Sequence, residues 1–149
     1  MSDFLQVAFN RLHNITLSDL REEEEYYDNP SVNRMEVIIE LLFAMKTTQE
    51  WPRIESFLES LLKDYRGNLK LFEPEFNKTD KKFVRAANRL QKIINRSATG
   101  EATSKESKEW ELLLEEKDGL EALVRNLKRG IVRIENLLLL SKKSVATSS

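Results

Sequence analysis

His13 is the only histidine in the 149 residues, and there is no cysteine. A Ser–His–Asp triad, a two-histidine metal site and a Glu-x-x-His di-iron bundle all need more or different residues. Asn10, three places before His13, removes even half of the di-iron pattern. Without cysteine there is no thiol catalysis, no thiolate zinc site and no disulfide. The 4 glycines are isolated from one another, so no glycine-rich phosphate loop can form. Two carboxylate groupings remain: Glu36 with Glu40, one helical turn apart, and the run Glu22–Glu25. Charge groupings of this kind are usually solvated faces rather than acid–base pairs. The expectation is a protein with no catalytic residues, no cofactor, no metal and no small-molecule substrate.

The strongest pattern is electrostatic. In the stretch KTDKKFVRAANRLQKIINRS, residues 78–97, Lys78, Lys81, Lys82, Arg85, Arg89, Lys92 and Arg96 face a single acid, Asp80. On a helix, six of these cations fall within roughly 80° and Lys81 lies beside them. Phe83, Ala86, Ala87, Leu90, Ile93 and Ile94 fill a separate arc of roughly 120°. Solvated helices usually mix signs to gain i,i+4 pairs, and this one does not.

Such an edge calls for an acidic counterpart, and there are three candidates. One is internal: residues 1–77 carry 8 basic and 15 acidic side chains, residues 78–149 carry 16 and 10. The run REEEEYYD, or the acidic first half of the last helix, could lie along the edge. The second is an acidic protein partner, for which complementary charge sets register and association rate. The third is a phosphate backbone, contacted through Lys82, Arg85, Arg89, Lys92 and Arg96. A second basic cluster, Arg125, Lys128, Arg129 and Arg133, could join it, or could answer the negative end of a helix dipole. No aromatic residue sits within the stripe to stack on bases, which weighs against nucleic acid.

These residues need helices to position them, and the composition supplies helices: 40% hydrophobic, 33% charged, few glycines and 3 prolines. The net charge of −1 predicts no whole-molecule attraction to nucleic acid or anionic lipid. The spacing predicts an all-α single domain, 1–149, a bundle of about six helices. It divides into an N-terminal helix cluster at 1–76, an antiparallel hairpin with a long last helix at 79–141, and a flexible tail at 142–149. Ser2 is expected to cap a first helix, and a second runs from Ser18 to Asp28, stopped by Pro30. Asn33 with Glu36 reads as a capping box for a third, Arg34 to about Thr47, apolar on nearly every side. Pro52 opens a fourth, Gly67 closes it, and the segment around Pro74 reads as a connector. Thr79 caps the fifth helix, which carries the stripe. A polar loop at 97–107 then leads to a sixth helix, about Ser107 to Leu140.

That last helix repeats nearly in heptads, with Leu113, Leu120, Leu127 and Ile134 each seven apart. The fifth helix is too short to cover this stripe. The excess must pack on the N-terminal helices, on a second copy or on another protein. Gly119 and Gly130 lie near one line of the helix, which fits either a close helix approach or simple tolerance. Trp51 is expected over a helix junction, and Trp110 at the edge of an interface.

The leading functional expectation is a non-enzymatic adaptor or small complex subunit. It binds a protein partner or itself through Leu113, Leu120, Leu127 and Ile134, with Trp110 at the rim. The alternative is a nucleic-acid-contacting subunit using the basic stripe. The start MSDFLQVAFNRLHN has neither a basic lead nor a continuous apolar run, and no apolar stretch reaches bilayer length. The expectation is therefore an intracellular chain, cytoplasmic or nuclear, with no membrane partner.

Overall fold

The computed structural model describes the backbone of residues 2–22, 29–96 and 104–148, and the side chains of 4–22, 29–96 and 105–142. The described residues form five helices: α1 (Ser2–His13), α2 (Leu17–Arg21), α3 (Pro30–Phe43), α4 (Trp51–Arg96) and α5 (Ser104–Ser148). None of them is long and apolar enough to cross a membrane.

The all-α class stands, with five helices in place of six. The main correction concerns α4, which runs unbroken through Gly67 and Pro74 where a stop and a connector were expected. A helical Gly costs about 1 kcal/mol and an interior Pro about 3 kcal/mol relative to Ala. Opposing them is a heptad register that crosses both: Leu58, Tyr65, Phe72, Thr79 and Ala86 are each seven apart, and all are buried or half-buried. Leu69 and Phe72 pack on the core, and Phe83 packs on Trp110. A partly buried side chain of this size contributes about 1 kcal/mol, so several outweigh the two breakers. The boundary placed at 76–79 thus falls inside one 46-residue helix. At the far end α5 continues past Leu140 to Ser148, through the segment expected as a tail.

The shorter helices start from different residues than expected. α2 is only 5 residues long, capped by Thr16: its Oγ1 accepts from the Asp19 amide at 3.1 Å, and Asp19 Oδ2 accepts from the Thr16 amide at 2.9 Å. The expected continuation over 23–28 lies outside the described residues. The Asn29–Pro30 pair, read as a stop, starts α3. Asn29 Oδ1 accepts from the amides of Ser31 (2.8 Å) and Val32 (3.3 Å), and Pro30 takes the first helical position, where its missing N–H is harmless. Glu36 is therefore mid-helix and free for tertiary work. Asn29 Nδ2 also donates to the carbonyls of Asp19 (2.7 Å) and Glu22 (2.9 Å), tying the end of α2 to the start of α3.

α4 and α5 form an antiparallel hairpin. Arg66 pairs with Glu135 at 3.2 Å and Glu73 with Lys128 at 2.7 Å, so rising numbers in one arm meet falling numbers in the other. α3 lies parallel to α5. Arg129 grips Glu36 through Nε (2.5 Å) and Nη2 (3.1 Å), and one turn on Arg133 pairs with Glu40. The core is built by Leu5, Leu12, Leu20, Met35, Ile39, Leu42, Ile54, Leu58, Leu123, Leu127 and Ile134, all at most 2% exposed. It occupies the half of the hairpin that carries α1–α3. Within it Tyr65 donates to Met35 Sδ at 3.2 Å, and burial, followed by the Asp64 carboxylate, pushes its hydroxyl up to about 12.

Candidate protein-interaction site at the hairpin end

Two rows of α5 carry the N-terminal helices. The first is Leu112, Gly119, Asn126 and Arg133, seven apart. Arg21 of α2 lies over Gly119, where a Cβ would sit 3.3 Å from its Nη2. Asn126 Nδ2 donates to the Leu20 carbonyl at 2.8 Å, and Arg133 meets Glu40 of α3. The second row is Glu109, Glu116, Leu123 and Gly130. Leu123 is fully buried, and Met35 of α3 and Tyr65 of α4 close over Gly130. The matching row of α4 is Ile54, Leu61, Asn68, Glu75, Lys82, Arg89 and Arg96. Ile54 and Leu61 are buried, whereas Lys82, Arg89 and Arg96 are exposed. One face of the hairpin is therefore covered by α1–α3 over half its length and left open beyond Gly119.

On this open half Lys82, Arg85, Ala86 and Arg89 of α4 and Glu109, Leu112, Leu113 and Glu116 of α5 line a groove of ≈ 360 Å³. Its apolar floor is Ala86, buried, and Leu113, half-buried, and Leu112, 66% exposed, stands on the far side of Glu109 and Glu116 from Leu113. One wall is cationic and the other anionic. Among the described residues no ion pair forms on Lys78, Lys81, Lys82, Arg85, Arg89, Lys92 or Arg96, and all seven are exposed. Among the described residues Glu109 and Glu116 have no ion pair either. Over residues 73–96 of α4 only Thr79 and Ala86 are buried, and none is over 105–119 of α5. Behind the groove Phe83, Leu90, Ile93, Trp110 and Leu114 are half-buried.

The expected interaction stripe divides at this boundary. Leu120, Leu127 and Ile134 are 4%, 0% and 0% exposed, covered by the chain's own helices. They are core residues, not an outward seam, because α4 is more than twice as long as the segment expected to cover them and α2 and α3 close the remainder. Leu113 stays half-buried, and Trp110 sits tilted on Phe83 with ring centroids 5.8 Å apart. The basic stripe lies where the pattern put it. Internal compensation reaches the second basic cluster through Glu36, Glu40 and Glu73, and none of those acids reaches the stripe. Reasoning from sequence missed the exposed Leu112 and the anchoring Asn126. A polar residue at a seven-residue spacing from Gly119 was the available sign of the latter.

The remaining candidates are structural. His13 ends α1, exposed, with its ring edge on Phe57 at 5.1 Å. Trp51 is buried edge-on against Phe43 where α3 passes to α4, and its Nε1 donates to Glu55 at 3.2 Å. A larger groove of ≈ 710 Å³ runs beside α3, but its one carboxylate, Asp19, is occupied as a capping group. Among the described residues no group of three or more His, Cys, Asp or Glu could hold a metal ion. Comparison with protein-family models, curated proteins and solved structures finds no match to this chain.

Proposed function

We propose that this chain is a non-enzymatic helical adaptor, a small subunit that holds a protein partner on the open end of its α4–α5 hairpin. The observation that carries this reading is the row of seven exposed cations that form no ion pair among the described residues, set beside a groove whose apolar lining includes the exposed Leu112. Self-repulsion along such a row destabilises the free protein, and a partner with acidic groups removes it. A nucleic acid fits less well. Glu109 and Glu116 form the opposite wall and repel a phosphate backbone that follows the cations. The adaptor reading retains Trp110, Leu113 and the cationic residues, and leaves Leu120, Leu127 and Ile134 to folding.

The test is recovery of bound proteins from cells of the source organism by the wild-type chain and by the Arg85→Glu/Arg89→Glu double variant, with nuclease treatment as a parallel arm. A set of proteins lost on charge reversal and resistant to nuclease is expected. An unchanged set overturns the reading, and loss on nuclease treatment replaces it with the nucleic-acid alternative.

A further inference from the structure

The covered half of the hairpin face states a docking rule in the molecule's own chemistry. α3 is an amphipathic helix laid along α5. It turns Val32, Met35, Ile39 and Leu42 into the core and sets Glu36 and Glu40, one turn apart, against Arg129 and Arg133. The open half offers an apolar strip and a cationic rim in another arrangement: the row of Leu123 and Gly130 continues as Glu116 and Glu109, and the cations stand on α4. Leu112 continues the row of Gly119, Asn126 and Arg133, Leu113 that of Leu120 and Leu127, and Ala86 that of Tyr65 and Thr79, while Lys82, Arg85 and Arg89 form a cationic rim on α4 at three- and four-residue steps.

Resting on the adaptor reading, we propose that this ledge receives one helix of a partner protein: an amphipathic helix with an apolar strip on the floor, an acidic edge toward α4 and a basic edge toward α5. The two walls dictate the last condition. A helix acidic on both edges meets Glu109 and Glu116, and one basic on both meets the arginines, so only the asymmetric helix satisfies both walls. The same asymmetry fixes its direction, since exchanging the edges turns every cross-wall pair into a repulsion. The length also suits a helix: α4 from Thr79 to Arg96 spans about 27 Å, five turns. A second copy of this chain fits poorly. Laying two ledges together with the hairpins pointing the same way drives α1–α3 of one copy against α1–α3 of the other, and opposing directions set cationic α4 against cationic α4.

The experiment uses the full chain and a synthetic helical peptide of about 21 residues, six turns. Leucines lie at every third and fourth position, glutamates along one edge of that strip and lysines along the other. A second peptide exchanges the edges. Binding is read by fluorescence anisotropy, and folding of every variant by circular dichroism. The first peptide is expected to bind wild type at least about tenfold more tightly than the second. Leu112→Asp, at an exposed position, is expected to weaken the first by a similar factor. Arg85→Glu/Arg89→Glu is expected to reverse the preference between the two peptides. Equal binding of both peptides, or indifference to Leu112→Asp, overturns the proposal. So does a concentration-dependent dimer in sedimentation that Arg85→Glu/Arg89→Glu abolishes, because it makes a second copy the occupant. If neither peptide binds while charge reversal still strips native partners, the helix proposal falls and the adaptor reading stands. If charge reversal strips nothing, both fall.

Discussion

Gly130 of α5 lies beneath the ring of Tyr65: a Cβ at 130 would stand 3.0 Å from Tyr65 Cε2 and 3.2 Å from Met35 Cε. Three helices meet at this point, and the missing side chain sets how closely α3 and α4 approach α5. Gly130→Ala is therefore expected to destabilise the protein by about 0–2 kcal/mol, an overpacking cost of about 1–3 kcal/mol offset by the helical gain of about 1 kcal/mol. That is opposite in sign to the gain a helical Gly→Ala change normally brings. Urea denaturation measures it, and a midpoint above wild type contradicts the close packing.

Gly67 is the control for that argument. A Cβ there meets nothing within 4 Å, so Gly67→Ala is expected to stabilise by about 0.5–1 kcal/mol. Pro74, exposed in the interior of α4, lacks the N–H that the helix needs, and Pro74→Ala is expected to stabilise by about 1–3 kcal/mol. Both raise the thermal midpoint if α4 is continuous. If the chain breaks between 67 and 79, neither substitution gains anything.

Tyr65 makes the fold sensitive to alkali in a defined window. Its hydroxyl titrates near 12 in the folded chain against 10.0 when unperturbed, so between these values the unfolded state has lost a proton that the folded state keeps. Stability is thus unaffected below pH 10 and falls as pH rises toward 12, by about 2–3 kcal/mol at the upper end. Tyr65→Phe keeps the ring over Gly130 and removes the titration. Urea midpoints of the variant should decline less than those of wild type across this window, and parallel curves contradict the assignment.

Asn126 tests how α2 is held. Its amide is the donor to the Leu20 carbonyl, in a position only 4% exposed. Asn126→Ala leaves that carbonyl unpaired and is expected to cost about 1–3 kcal/mol. Asn126→Asp keeps the shape but aims a carboxylate at a carbonyl oxygen. Burial raises the folded pKa of the introduced carboxyl, so this variant loses stability as pH rises through that value and recovers as the group protonates in acid. A variant with the same pH profile as wild type contradicts the hydrogen bond.

What was legible in the sequence followed from period. The apolar spacing of Leu5, Phe9 and Leu12, of Ile54, Leu58 and Leu61, and of Leu120, Leu127 and Ile134 placed these residues on helices, and they are buried there. What was not legible turned on competition between local and distant terms. Gly67 and Pro74 are real helix breakers, and only the continuing register of Tyr65, Phe72, Thr79 and Ala86 against another helix overrides them. With α4 read as two pieces, the stripe of α5 looked uncovered. Glu36 was read as a capping side chain when its partner, Arg129, lies 93 residues away. The cationic row needed no tertiary information, because all its members are exposed and form no ion pair among the described residues.

That row makes a prediction separable from any partner. Lys81, Arg85 and Arg89 are spaced one turn apart with no acid between them, so neighbouring cations repel along the edge. Arg85→Glu breaks no ion pair among the described residues and creates two attractive i,i+4 pairs, toward Lys81 and Arg89. It is expected to leave stability unchanged or raise it by about 0.3–1 kcal/mol. Glu36→Gln, which removes the anionic partner of Arg129, should lower stability under the same conditions. Rising salt should stabilise residues 79–96 in the wild type by screening the repulsion, and less so in Arg85→Glu. Amide exchange along α4 resolves this end from the core. If Arg85→Glu instead unfolds the hairpin end, the row is a structural element of the free protein, and its lack of partners no longer points to a ligand.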